Sequence, residues 1–182
     1  NNGLRSIVEN YDIFYIDLWG VVHNGVALHK NAIEALEEIT KANKNYVLLT
    51  NAPRPNKVVK TILEKMGMSK EIRDKVYSSG EASLSYLKKN YSNNFFYHIG
   101  PSRDFDLFLD FKKNKTTDIK ECYYLLCTGL FEEQGEDLDY YKELLKDHLN
   151  KKMICNFHSS FTQSSLSCLV SCVHLIFVFH IE

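Results

Sequence analysis

The chain has 182 residues, of which 45% are hydrophobic and 25% charged, so it can form one core of ordinary size, and its composition excludes wholesale disorder. Its 22 basic and 23 acidic residues leave a formal net charge of -1, which excludes broad attraction to nucleic acid. The five cysteines lack the paired spacing of a zinc site or a disulfide framework. We therefore expect no nucleic-acid partner, reduced thiols and a cytoplasmic location.

The first predicted element is a strand that ends at an aspartate. The run Asp12-Ile-Phe-Tyr-Ile-Asp17 is short, aromatic and β-branched, which is typical of a buried parallel strand with Asp17 at its carboxyl end. The Asn24-Gly25 pair between apolar residues predicts a tight turn, and hence a small flap at the strand end. Helical spacing from Asn31 to Lys41 predicts the first crossover helix, with Asn31 and Glu34 as its cap pair.

Two further strands complete an alternating β/α pattern. Tyr46–Thr50 predicts a second strand, followed by a loop over Asn51–Pro55 and a helix over 58–66 that ends at Gly67. A third strand is predicted over Val76–Ser79. This order predicts a parallel sheet whose ligand edge carries the residues at the carboxyl ends of the strands.

The second half of the chain repeats the pattern and then changes composition. Strands are predicted near residues 95–100, 122–128 and 153–155, with one helix near Asp104–Asp110 and another over Leu138–Leu149. We therefore expect an α/β core over 1–92, a partial second lobe over 93–156 and an apolar tail over 157–182. The apolar part of that tail is shorter than the ~20 residues that span a bilayer, so a membrane anchor is disfavoured.

Several motifs occur at the predicted strand ends. The first is Asp-x-Trp-Gly-Val at one strand end, and the second is Leu-Leu-Thr-Asn at the next strand end. The full set is Asp17-Leu-Trp-Gly-Val-Val-His-Asn-Gly25, Leu48-Leu-Thr-Asn51, Tyr77-Ser-Ser-Gly-Glu81, Tyr97-His-Ile-Gly100 and Cys127-Thr-Gly129. Together these motifs resemble the haloacid dehalogenase-like phosphatases, in particular the branch with a large α/β cap, so the resemblance implies a partial Rossmann-like parallel sheet followed by the first part of a cap.

The resemblance also implies a chemistry. Asp17 would be the nucleophile that forms an aspartyl-phosphate on a small phosphorylated metabolite. Thr50 and Asn51 would bind the phosphoryl group. Mg²⁺ would be held by the Asp17 carboxylate, the main-chain carbonyl of Trp19 and an acidic residue from a later motif.

The chain departs from the family pattern in three ways. Trp19 stands where most members carry an acid–base aspartate, and a large apolar plug beside the site is its expected structural role. The family's later lysine and acidic-pair motifs are absent, and the acidic residues of Gly135-Glu-Asp-Leu-Asp139 are better explained by the dipole of the helix that they begin. Beyond Asn156 the family's Pro-Asp is replaced by the tail, so the chain is expected to be cut short. A catalytically inactive remnant or a phosphate-binding module is therefore the alternative function.

Other expectations concern the surroundings of this site. Loss of the family's later strands would leave the Asp17 strand as a bare edge that invites self-association, or that the tail segment Leu175–Phe179 fills. A tail-associated membrane or partner-binding protein is a third alternative. The seven histidines are expected to be surface or packing residues, and Arg54 and Arg103 to be solvated loop residues.

Overall fold

The computed structural model describes residues 3–130, 135–155 and the strand at 177–180. The chain divides into two compact units. The first contains the residues up to Thr50 together with Asn56–Ser78, and the second contains Asn51–Pro55 together with the residues from Ser79 onward. Each unit has its own sheet.

The first unit is a three-stranded parallel sheet with order β1-β2-β3, which confirms the predicted sheet. Short 3-10 turns over Gly3–Ser6 and Val8–Asn10 precede it. Its elements, in chain order, are β1 (Ile13–Asp17), α1 (Lys30–Lys41), β2 (Asn45–Thr50), α2 (Asn56–Lys65), α3 (Lys70–Arg73) and β3 (Val76–Ser78).

The two faces of this sheet are buried to different extents. Tyr46, Leu48 and Val76 share one face and are buried. On the opposite face Tyr15 of β1 is 67% exposed and Tyr77 of β3 is exposed. The prediction that β1 is a buried strand is therefore wrong, because Ile13, Tyr15 and Asp17 on this face are exposed and, in the part of the chain that the structure describes, no strand pairs with its outer edge.

The first helix begins before its predicted cap. Helix α1 starts at Lys30, and His29 rather than Asn31 is its N-cap residue, without a side-chain hydrogen bond. The His29 N–H donates to the Val22 carbonyl, and the His29 carbonyl accepts from the N–H groups of Ala32 and Ile33. The preceding turn therefore fixes the start of the helix. The predicted end of α2 is confirmed, since Gly67 has φ +88° just beyond it.

The second unit is a five-stranded sheet with order β5-β4-β6-β7-β8, parallel except for β8. A 3-10 run over Ser102–Asn114, kinked at Phe108, replaces the helix predicted near Asp104. The elements of this unit are α4 (Ser79–Asn90), β4 (Phe96–Ile99), β5 (Lys115–Thr116), β6 (Tyr124–Cys127), α5 (Leu138–Leu145), β7 (Lys152–Cys155) and β8 (Phe177–His180).

The core of the second unit joins α4 to the sheet. Leu84 and Leu87 of α4 lie in one buried cluster with Phe96 of β4, Leu126 of β6 and Ile154 of β7. The structure therefore places α4 with the second unit, while the domain boundary expected between residues 92 and 93 stays a prediction.

The tail contributes one strand. Phe177–His180 pairs antiparallel with β7, so the hypothesis that this segment fills the edge beside β1 is wrong. An extended segment can pair with any free strand edge, and here it uses that of β7. The remainder of 156–182 lies outside the described residues. Among the described helices, none is long and apolar enough to cross a membrane.

Candidate active site

Asp17 is the last residue of β1 and is exposed. The parallel register places it opposite Leu49 of β2, and the next N–H, that of Leu18, donates to the Leu49 carbonyl at 2.9 Å. The Asp17 carboxylate makes no hydrogen bond or ion pair with any residue that the structure describes. A carboxylate so placed can accept a ligand without first breaking an internal contact.

A compact flap follows Asp17, as the Asn24-Gly25 pair predicts. The buried side chains of Leu18 and Val22 anchor it. The Gly20 N–H donates to the His23 carbonyl at 2.8 Å, and the Asn24 Oδ1 accepts from the N–H groups of Val26 and Ala27 at 3.0 and 2.9 Å. These bonds close the turn, so the flap has a defined shape next to the strand end.

Trp19 is not the apolar plug that the sequence suggests, because 61% of its surface is exposed. Its ring lies across the flap, with its centroid 5.5 Å from that of the His23 imidazole at an angle of 89°. Its carbonyl takes no part in the backbone hydrogen bonds between residues 18 and 29, which use the carbonyls of Leu18, Val22, His23 and Ala27. That carbonyl is therefore available to a metal ion.

His23 is the residue of this region whose position the sequence did not indicate. It is buried within the flap, and its Nδ1 accepts a hydrogen bond from the Gly25 N–H at 2.9 Å. Burial lowers the pKa of His23, as does the nearby His29, while the Asp17 carboxylate acts in the opposite direction. Since Nδ1 is an acceptor, we assign the proton of the neutral ring to Nε2.

Thr50 is the last residue of β2 and is buried, opposite Ser78 of β3. Thr50 and Asp17 thus end neighbouring parallel strands, as predicted. Asn51, half-buried, follows in the chain and opens the loop that belongs to the second unit.

That loop is held against the start of α4. The Ala52 carbonyl accepts from the Gly80 N–H at 3.1 Å, and a Cβ at Gly80 would lie 2.4 Å from the backbone of Arg54. Gly80 therefore permits the close approach of the two backbones. The Arg54 side chain is exposed, as expected for a solvated loop residue, and the side chain of Arg103 lies outside the described residues.

The acidic run before α5 has a structural explanation. Asp137 is the N-cap residue of α5, and its carboxylate accepts from the Tyr140 N–H at 2.7 Å. Asp139 forms an exposed ion pair with Lys142. No group of three or more His, Cys, Asp and Glu residues suited to a metal ion occurs within the described ranges. Asp139 also lies in the first turn of α5, where the helix dipole favours an acidic residue, so the predicted explanation of this run is supported.

An aspartate and a threonine therefore lie at the carboxyl ends of neighbouring parallel strands, the edge at which open parallel α/β sheets bind their ligands. The family described as haloacid dehalogenase-like hydrolase matches residues 14–111, more than half of the chain. The chain belongs to the haloacid dehalogenase-like hydrolases.

Solved structures support the same fold. A haloacid dehalogenase-like hydrolase from Brucella suis is 29% identical with a TM-score of 0.68, and the match covers 84% of this chain and 58% of that protein. A 4-nitrophenylphosphatase from Thermotoga maritima is 19% identical with a TM-score of 0.64, covering 87% of this chain and 59% of that protein.

A third solved structure is a glycerol phosphate phosphatase from Mycobacterium tuberculosis in complex with magnesium. It is 17% identical with a TM-score of 0.52, and the match covers 77% of this chain and 42% of that protein. The chain thus spans less than two thirds of the length of these proteins. No curated protein matches it.

Proposed function

We propose that this chain carries the nucleophile of a phosphatase for small phosphate monoesters, and that the nucleophile is Asp17. The observation that carries the proposal is the Asp17 carboxylate, which is exposed at the end of β1 and free of hydrogen bonds and ion pairs with the described residues. Attack of a carboxylate oxygen on phosphorus gives an aspartyl-phosphate, which water then hydrolyses. The 4-nitrophenylphosphatase and the glycerol phosphate phosphatase among the similar structures support this substrate class.

Two groups after β2 are proposed to bind the transferred phosphoryl group. The Thr50 hydroxyl and the Asn51 amide can each donate a hydrogen bond to a phosphoryl oxygen. The burial of Thr50 favours this role, because a hydrogen bond from a buried hydroxyl to a charged ligand is shielded from water and is therefore stronger. Both residues match the second motif of the family.

The oxygen atoms near Asp17 fit Mg²⁺, which is proposed as the cofactor. Mg²⁺ prefers one or two carboxylates together with water and substrate phosphate, and the Asp17 carboxylate and the Trp19 carbonyl are oxygen donors of the right kind. When bound, the ion would neutralise charge on the phosphoryl oxygens. The residues of this chain would then hold the ester in place, with Asp17 aimed at phosphorus.

A phosphate-binding module without turnover is the second candidate. The specific observation in its favour is Trp19, because an indole can neither protonate a leaving group nor activate water. In this case Asp17, Thr50 and Asn51 would bind phosphate without splitting an ester.

Hydrolysis of 4-nitrophenyl phosphate by the full chain with Mg²⁺ tests the enzyme proposal. The Asp17→Asn variant should lose more than about 100-fold in rate, because it removes the attacking group. Asp12→Asn is the matched control, since Asp12 is an exposed aspartate immediately before the same strand and should keep the rate. Equal rates for the wild type and Asp17→Asn would contradict the enzyme proposal.

The fluorescence of Trp19 separates the two candidates, because Trp19 is the single tryptophan of the chain. Inorganic phosphate with Mg²⁺ should change the emission of the wild type in both cases. A change in emission together with no hydrolysis supports the binding module. The absence of both signals contradicts both candidates.

Self-association through the edge of β1 is the remaining partner proposal. The Leu18 N–H and the Asp12 carbonyl bond to β2, so the alternating residues Ile13, Tyr15 and Asp17 direct their backbone groups away from it. Unpaired strand edges of this kind favour pairing with another chain.

A cytoplasmic location is a separate proposal, which is expected from the cysteine pattern.

A further inference from the structure

Two cysteines lie side by side at the end of the second sheet. Cys127 is the last residue of β6, Cys155 is the last residue of β7, and the parallel register pairs them directly. Neighbouring strands lie about 4.7–4.9 Å apart, and the Cα atoms of disulfide partners lie about 4.4–6.8 Å apart. The backbone therefore holds these residues within range of a covalent S–S bond.

The two thiols differ in their access to solvent. Cys127 is completely buried, with its Sγ 3.8 Å from the Gly129 carbonyl oxygen, whereas Cys155 is half-buried. Contact with the Cys155 thiol, followed by burial, raises the pKa of Cys127. A small oxidant from solvent therefore meets Cys155 first, and Cys127 is the thiol placed to react with the product.

We propose that Cys127 and Cys155 form a reversible redox pair that closes to a disulfide between β6 and β7 when hydrogen peroxide is present. In the first step peroxide oxidises the Cys155 thiol to a sulfenic acid and releases one water molecule. In the second step the Cys127 sulfur attacks the Cys155 sulfur, and the Cys127 proton leaves with the sulfenic hydroxyl as a second water molecule. Two thiols lose two electrons, and one peroxide gains them.

The geometry favours a bond that is easily reduced again. The Cβ atoms of disulfide partners usually lie about 3.5–4.5 Å apart, which is closer than the spacing of neighbouring strands. The bond must therefore draw the ends of β6 and β7 together, and strained disulfides are the more reducible ones. Closure would also turn residues 128–154, which include α5, into a covalent loop.

Cys122 provides an internal comparison. It is also buried in the second unit, and its Sγ lies 3.1 Å from the Ile119 carbonyl oxygen. It precedes β6 and has no register partner in β7. Position in the sheet, rather than burial alone, distinguishes Cys127 from Cys122.

The test uses two full-length variants with two cysteines each. In the first, Cys122→Ser, Cys168→Ser and Cys172→Ser leave Cys127 and Cys155. In the second, Cys127→Ser replaces Cys122→Ser and leaves Cys122 and Cys155. In both variants cleavage by trypsin leaves one cysteine in peptide 121–142 and the other in peptide 153–182, so the same assay detects a disulfide in either variant.

Each variant is treated with hydrogen peroxide, its remaining free thiols are blocked with N-ethylmaleimide, and the tryptic peptides are analysed by mass spectrometry. The first variant should give the joined peptides, lighter by two hydrogens and separated again by dithiothreitol. The second should give at least about tenfold less joined product, because Cys122 lacks the register. Equal joining in the two variants, or oxidation of Cys155 to sulfinic acid without joining, overturns the proposal.

The unsubstituted chain supplies a second measurement that does not depend on the folding of a variant. Additional digestion with chymotrypsin cuts after the aromatic residues Tyr123 and Phe157 and so separates all the relevant cysteines. The pair 127–155 should be the dominant cross-link after peroxide. A dominant link that involves any other pair overturns the proposal.

Discussion

The ring of Trp19 occupies the space that a side chain at position 25 would need: a Cβ built on Gly25 would lie 2.6 Å from Cη2 of Trp19. Gly25 also has φ +89°, which disfavours any other residue. Gly25→Ala should therefore cost about 1–2 kcal/mol of unfolding free energy for the backbone, and a further ~0.5–1 kcal/mol for displacing the exposed Trp19 ring, as measured by urea unfolding.

Gly20→Ala is the matched control for this prediction. Gly20 has φ +74° in the same flap, and a Cβ there would meet nothing within 4 Å, so only the backbone cost should remain. Adding Trp19→Ala to Gly25→Ala should remove the clash. Equal losses of unfolding free energy for Gly20→Ala and Gly25→Ala would show that the Trp19 ring does not obstruct a side chain at position 25.

The titration of His23 should report the charge at Asp17. Its pKa should lie below 6.5, because burial and His29 both lower it. Asp17→Asn should lower the pKa of His23 further, since it removes the carboxylate that raises it, and His29→Asn should raise it. Imidazole NMR signals followed between about pH 8 and 4 measure these shifts. An unchanged pKa of His23 in Asp17→Asn would place the carboxylate out of electrostatic reach.

His98 should make the second unit sensitive to acid. Burial, with a smaller effect of Lys115, lowers the pKa of His98 to about 4, and its Nε2 lies 2.8 Å from Thr128 Oγ1. Between the ordinary pKa of 6.5 and about 4 the unfolded chain binds a proton that the folded chain does not. Stability is therefore complete above pH 6.5 and falls as the pH falls towards 4.

The size of this loss follows from linkage. The full pKa shift of His98 corresponds to about 3 kcal/mol of unfolding free energy. Because the ring is partly exposed and solvent screens its charge, we expect a loss of about 1–2 kcal/mol. Urea unfolding of the wild type and of His98→Gln at several pH values measures it. The variant should show a flatter dependence on pH over this range, and parallel curves would contradict the assignment.

Self-association through the edge of β1 that no described strand covers can be tested by adding a charge. Tyr15→Lys places a charge on the exposed side chain of the edge strand and should reduce self-association in sedimentation velocity, because charged edge residues oppose strand pairing. Tyr123→Lys is the matched control, since Tyr123 is as exposed as Tyr15 but lies outside the strands. Equal effects of the two substitutions, or a monomeric wild type, would exclude the edge as the contact.

The sequence predicts the strands well because their signal is local. Apolar β-branched runs and the breakers that follow them locate β1, β2 and β3 within one or two residues. The burial of β1 could not be predicted in this way, because it depends on which strand lies beside it. The start of α1 was missed by one residue for a similar reason, since the bond from the His29 N–H to Val22 depends on the flap.

The candidate site shows the same difference between positions that local sequence predicts and positions that depend on the tertiary structure. The positions of Asp17 and Thr50 at neighbouring strand ends could be predicted, because the order of strands and helices determines which residues lie at the carboxyl edge of a parallel sheet. Their roles in the reaction stay predictions. His23 was missed because nothing in the sequence distinguishes a buried histidine from a solvated one. Trp19 was expected to be an apolar plug from its size, whereas the flap leaves its ring on the surface.

The position of Asp17 on an edge strand also affects its dynamics. Among the strands that the structure describes, β1 is bonded to a neighbour on one side only, so the amides of Ile13, Tyr15 and Asp17 should exchange with deuterium faster than those that bond to β2. Such a strand can separate locally from β2 while β2 and β3 remain paired. The free energy of that local opening, rather than of global unfolding, then sets the fraction of molecules in which Asp17 is held beside the end of β2.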